Sequence, residues 1–257
     1  MTNSNILSGL TSITFRDLDS KEIIDLAVKA GLNGIEWGGD IHVPHGNTKI
    51  ASETRKMTVD AGLDVIAYGS YFFLGDSSRK KLNFKKVLDS AVALHAPVIR
   101  VWAGKIASAS TDENYRNKII EETKSIAKLA AEANIDIAFE SHLNSLTDTG
   151  ESSVDILKKI DMENVKSYWQ PIPSLSDEEN LRKLNLIFPW IKNVHVFHWK
   201  NDNSTRLALS AGKEKWEKYF DDFSAIKNDA YAIIEFVKND SPEEFLADAE
   251  TLKQLIN

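Results

Sequence analysis

Glu140 and Glu235 each stand at the end of a short, branched apolar run, "IDIAFE" and "AIIEFV", and His142 follows the first by two residues. Glu36 of "GIEW", Gln170 of "VKSYWQ" and His195 of "NVHV" fall at comparable positions. If these runs are strands, side chains of one parity share a face. Ile135, Ile137 and Phe139 then point outward and leave Ala138 and Glu140 inside; Ala232, Ile234 and Phe236 point outward and leave Ile233 and Glu235 inside. Carboxylates crowded into one interior lose hydration and repel, which costs several kcal/mol unless something compensates. A divalent cation is the simplest compensation. Glu140, Gln170, His195 and Glu235 offer two carboxylates, an amide oxygen and an imidazole, a hard shell suited to Mn, Mg or Co and acceptable to Zn. Each of these residues alone also serves as an ordinary strand-end hydrogen bonder or core histidine; their shared parity on separate strands is what points to a metal site.

The elements that must position them alternate regularly. Apolar runs "NILSGLT", "GIEW", "LDVIAYG", "PVIRVW", "IDIAFE", "VKSYWQ", "NVHVFHW" and "AIIEFV" are separated by stretches of helical period. The spacing predicts helices over about 19–30, capped by Asp19 or Ser20, and over about 48–61, 78–95, 111–134 and 242–256, the last opening on Ser241 and Pro242. Eight strand-then-helix units within 257 residues match a single (β/α)8 TIM barrel, an α/β fold occupying residues 1–257 as one domain. An open doubly wound sheet is the rival, but neither GxGxxG nor GxxxxGK[ST] occurs. In such barrels the site lies where the strands end.

Composition narrows the partners. The net charge is -7, so no basic field gathers a polyanion and nucleic acid is an unfavoured partner. With no cysteine, disulfides, thiolate nucleophiles and thiolate metal sites are excluded. No apolar stretch approaches the roughly 18 residues of a membrane helix, and the start lacks a secretory pattern. The expectation is a cytoplasmic protein, with a homo-oligomer compatible. Trp37, Trp102, Trp169 and Trp199 lie near strand ends, where indole rings could stack on sugar C–H faces or simply cap the core. His42 and His45 lie in the loop after the second strand, and Arg100, Lys200 and Arg206 could meet a phosphate.

"GIEWGGDIHVP", "AFESHLNSLTDT", "VKSYWQP", "NVHVFHW" and "IIEF" together resemble the xylose-isomerase-like barrel family of sugar isomerases, ketose epimerases, inosose dehydratases and apurinic endonucleases. The resemblance extends over nearly the whole chain. It implies a divalent metal held by Glu140, the position of Gln170, His195 and Glu235, and an arginine for substrate oxygens at Arg206 in "RLALSAGKEKW". Gln170 replaces the family's usual aspartate, Pro173 a frequent histidine, and His198 a frequent acid. The missing charge at Gln170 lowers the expected metal affinity.

The reaction expected of this set is proton abstraction next to a carbonyl, with Glu140 and Glu235 exchanging protons on a sugar or sugar phosphate. Glu36, Trp37, Trp102, His142, His198 and Arg206 are the residues expected to contact substrate. Two other readings stay open: a polyol hydro-lyase using the same ion and carboxylates, and a non-catalytic sugar-binding relative.

Overall fold

A computed structural model describes residues 6–75, 82–202, 204–223 and 230–256. Eight parallel strands close into a barrel in chain order: β1 (Ile6–Thr11), β2 (Gly34–Gly38), β3 (Asp64–Phe73), β4 (Val98–Trp102), β5 (Asp136–Glu140), β6 (Val165–Trp169), β7 (Ile191–Val196) and β8 (Ala230–Ile234). The ring closes through β8 and β1, with Gly9 opposite Ile233. Outside it lie α1 (Ser20–Ala30), α2 (Thr48–Asp60), α3 (Phe84–Leu94), α4 (Glu113–Ala131), α5 (Gly150–Ile160), α6 (Asp177–Ile187), α7 (Lys213–Phe223) and α8 (Pro242–Ile256). Among the described residues no helix is long and apolar enough to cross a membrane.

Local chemistry accounts for most boundaries. Asp19 caps α1 by accepting from the N–H groups of Lys21 and Glu22, and Glu22 reaches back to the Asp19 N–H, closing two orphan donors reciprocally. Asp112 caps α4, which therefore starts two residues later than the spacing suggests. α3 begins at Phe84 with Asn83 as its cap; of the expected start at 78, residues 78–81 lie outside the described set. Strand β8 occupies 230–234 rather than 232–237, so Glu235 stands just beyond it.

The core has two layers. Between barrel and helices packs the larger one, including Ile135, Ile137, Phe139, Ala232 and Ile234, in agreement with the expected parity. Inside the barrel a small cluster of Ile66, Ala67, Val98, Ala138, Tyr168 and Ile233 fills the space beneath the strand ends. Phe236 departs from the expected alternation. Its φ is 57°, a left-handed conformation that turns the chain after Glu235, and its ring lines a cavity instead of packing on helices.

Candidate active site

The apolar filling of the barrel gives way at its carboxyl end to a layer of charge. Arg100, in the middle of β4, is 1% exposed. Its Nε donates to Glu36 Oε1 of β2 at 2.9 Å, and its Nη1 donates to Glu140 Oε2 of β5. Room for this guanidinium comes from Gly69, where a Cβ would lie 2.8 Å from Arg100 Nη2. Although burial disfavours its charge, Glu36 is held down to about 2 by Arg100 and then by His195. Burial likewise works against the Arg100 cation, yet Glu140 and Glu36 outweigh it and hold the guanidinium well above its usual value.

His195, on β7, is fully buried, with Nδ1 hydrogen-bonded to Gln170 Oε1 at 2.9 Å and 3.5 Å from Glu235 Oε2. Its Nε2 has no hydrogen-bond partner and faces Glu36 Oε1 at 3.5 Å. Burial opposes protonation, but the carboxylates of Glu235 and Glu36 prevail and raise the imidazole above its usual value. Glu235 is itself raised, first by burial; the neighbouring charges of Glu140 and Glu36 add to this, and His195 and Arg100 oppose it.

Glu140, His195 and Glu235 each present a ligand atom, and the three atoms lie within 4.8 Å of one another, all buried. The donor set fits a divalent cation on two grounds. With His195 neutral, as a ligand must be, three carboxylates against one guanidinium leave two negative charges, which such an ion would cancel without an acid at position 170. Moreover, an imidazole ligating through Nδ1 keeps its proton on Nε2, and the unpartnered Nε2 already faces Glu36, the arrangement that fixes a ligating histidine. The Gln170 amide oxygen adjoins the same atom.

Above this floor opens a cavity of about 410 Å³, lined by Glu140, Gln170 and Glu235 below and by aromatic walls. Trp102 stacks on His142, with ring centroids 4.0 Å apart, and His142 Nδ1 donates to Leu143 O at 2.6 Å. Trp199 and Phe236 form the opposite wall at 5.9 Å. The indole N–H groups of Trp102 and Trp199 are buried and unpartnered. Tyr71, with φ of 51°, lines the cavity between two arginines; Arg16 Nη2 donates to its hydroxyl at 3.1 Å and the Arg100 guanidinium lies 5.5 Å from its ring.

The fold thus gathers Glu140, Gln170, His195, Glu235, Trp102 and His142. Glu36 is near them but lies behind Arg100, out of the cavity. Arg206 lies beside the cavity, paired with Asp240 and stacked 4.4 Å over Phe236. Glu36 is not placed to touch a substrate, and two further expected contacts, Trp37 and His198, are placed elsewhere. Trp37 points outward, as it must if its neighbour Glu36 points inward, and donates to Thr58 Oγ1 at 3.2 Å within the outer core. His198 packs against Gly212 outside the cavity, with its basicity lowered by burial and then by Lys215. Trp169 packs among Trp216, Tyr219 and Phe223, and His42 and His45 are bound to Leu18 O and Ser70 O. The sequence offers Arg100 only as a phosphate contact, whereas it is bound to Glu36 and Glu140, and it does not single out Tyr71. An arginine in mid-strand with inward parity was a signal for the first; nothing in the sequence marks the left-handed backbone of the second.

A closed parallel barrel with acids and a histidine at its strand ends defines the class, and the chain belongs to the xylose isomerase-like TIM barrel family, whose model matches residues 24–255. It is 24% identical over 209 residues to a 3-dehydroshikimate dehydratase of Bacillus anthracis, covering 76% of this chain and 72% of that protein. Solved structures share the fold at low identity. The probable 3-DHS dehydratase of Bacillus anthracis superposes with a TM-score of 0.82 at 19% identity, over 96% of this chain and 99% of that one. D-Psicose 3-epimerase from Clostridium cellulolyticum H10 gives 0.77 at 15%, over 98% and 100%. The 3-keto-D-glucoside 4-epimerase of E. coli gives 0.72 at 15%, over 97% and 98%.

Proposed function

We propose that the protein is a metal-dependent sugar isomerase or epimerase that moves a proton next to a carbonyl. The observation that carries this reading is the convergence of Glu140, His195 and Glu235 within 4.8 Å of one another, with Glu140 and Glu235 on the floor of one aromatic-walled cavity. Glu140, Gln170, His195 and Glu235 would hold a divalent ion, Mn, Mg, Co or Zn, which when bound supplies electrophilic stabilisation of the negative charge that develops on the substrate oxygens. Glu140 and Glu235 exchange protons with the carbon beside the carbonyl. Removal by one and return by the other inverts that centre; return to the adjacent carbon isomerises the sugar. Trp102 and Trp199 offer apolar faces to the C–H side of the sugar. Arg100 and Glu36 keep Glu140 and His195 oriented.

The test is solvent deuterium exchange into a panel of ketoses, aldoses and their phosphates, using protein loaded in turn with each ion. Exchange at the carbon beside the carbonyl is expected, with a loss of about 100-fold or more in Glu235→Gln. No exchange across the panel rejects the reading. The second reading, a hydro-lyase, is favoured by the dehydratase relative, and an unsaturated product detected by ultraviolet absorbance without exchange into recovered substrate would replace the first with it.

A further inference from the structure

A second cavity, of about 580 Å³, adjoins the first, and Ile13 and Phe236 line both. Phe236 is held at the boundary by its backbone. Its φ of 57° is left-handed, a strained conformation for a bulky residue, and its N–H donates to Thr14 Oγ1 at 3.1 Å. The turn that delivers Glu235 to the floor therefore also swings the next ring into the wall between the two spaces. Tyr71 makes a second link, since it lines the first cavity and accepts from Arg16, which lines the second.

The polar groups of the outer cavity are charged but balanced. Arg16 is bound to Asp40 at 2.7 Å, Arg206 is bound to Asp240, and Asp17 adds a further carboxylate. A phosphate entering here would meet at least as much negative as positive charge. A hydroxyl, which donates and accepts at once, matches paired guanidinium and carboxylate groups, and Ile13, Phe15 and Phe236 offer apolar surface to the C–H face of a ring. Both cavities have the size of small-ligand sites.

We propose that the outer cavity is a subsite for a neutral glycosyl unit, so that the preferred substrate is a glycosylated ketose whose carbonyl-bearing unit lies over Glu140 and Glu235. This rests on the sugar reading of the inner cavity. The substrate's two sugar units lie on either side of Phe236, and the balanced arginine–aspartate pairs select against a terminal phosphate.

Calorimetric titration of the Mg-loaded protein with D-fructose and with the ketose disaccharides lactulose, turanose and isomaltulose tests it, with deuterium exchange into each sugar followed in parallel. At least one disaccharide is expected to bind about tenfold more tightly than fructose. Asp17→Trp, which fills the outer cavity from an exposed position, and Arg16→Ala, which removes a donor, should each bring that ratio down to about twofold or less. Equal affinities in the unsubstituted protein, or a ratio that neither variant moves, overturn the subsite. A disaccharide preference without any exchange sinks the isomerase reading and leaves the subsite standing; exchange into fructose without a disaccharide preference does the reverse. No binding of any of these sugars rejects the subsite as well.

Discussion

Arg100 and Lys183 are both buried in this barrel, and they meet opposite fates. Arg100 on β4 faces two carboxylates, and its charge is secured. Lys183 on α6 is 3% exposed, and its Nζ donates to the backbone carbonyl of Asp148 at 3.2 Å. Burial, only partly offset by the Asp148 charge, lowers this amine to about 7. The small cavity beside it also carries Glu151, Glu179 and Arg182, with Glu151 and Arg182 paired to each other. The difference teaches that depth alone does not make a charged centre. A buried cation keeps its proton where carboxylates are built around it, as Glu36 and Glu140 are around Arg100.

The largest effect should come from removing the secured cation. Arg100→Met leaves Glu36 and Glu140 buried without a counter-charge, and is expected to cost about 3–5 kcal/mol in urea unfolding. Loss of no more than about 1 kcal/mol would show that the carboxylates find other compensation, and the contrast with Lys183 would disappear.

How far this contrast was legible in the sequence depends on which contacts are local. Parity within a strand is local, so Glu140, His195, Glu235 and the outward set of β5 could be read directly. The same rule separates Trp37 from Glu36, since adjacent strand residues face opposite ways. Capping is local too: Ser176 and Glu179 form a capping box at the start of α6, although its thin apolar face gave no clear helical period. The role of Arg100 is not local, because its two partners come from β2 and β5, 64 and 40 residues away. Phe236 and Tyr71 owe their places to positive φ, which tertiary contacts impose on residues whose type favours extended backbone.

Lys183→Met sharpens the comparison from the other side, with a smaller effect of opposite sign. The folded amine titrates near 7, below its ordinary 10.5, so between those values the unfolded chain binds more protons and stability rises with pH. Below about pH 7 both states are protonated and the cost of the buried charge is fully present. The substitution is therefore expected to stabilise the protein by about 3 kcal/mol at pH 6, a gain that shrinks as pH rises towards 10. Thermal unfolding of both proteins from pH 6 to 9 measures this. A gain independent of pH would mean that Lys183 keeps its proton, as Arg100 does.

The smallest expected effect bears on the balance of charge around Arg100. Gln170 is the neutral member of the floor, and its amide oxygen accepts from His195. With three carboxylates and one guanidinium already present, Gln170→Asp adds a negative charge that a divalent ion alone would not cancel. Two consequences oppose each other: the ion is attracted more strongly, while the metal-free protein must hold one more buried carboxylate. Metal affinity is expected to rise about tenfold, and stability in the presence of chelator to fall by about 1 kcal/mol. Calorimetric titration with Mn and urea unfolding in EDTA check the two halves separately. If affinity stays level while stability falls, position 170 does not reach the ion, and the three residues Glu140, His195 and Glu235 carry the metal centre without it.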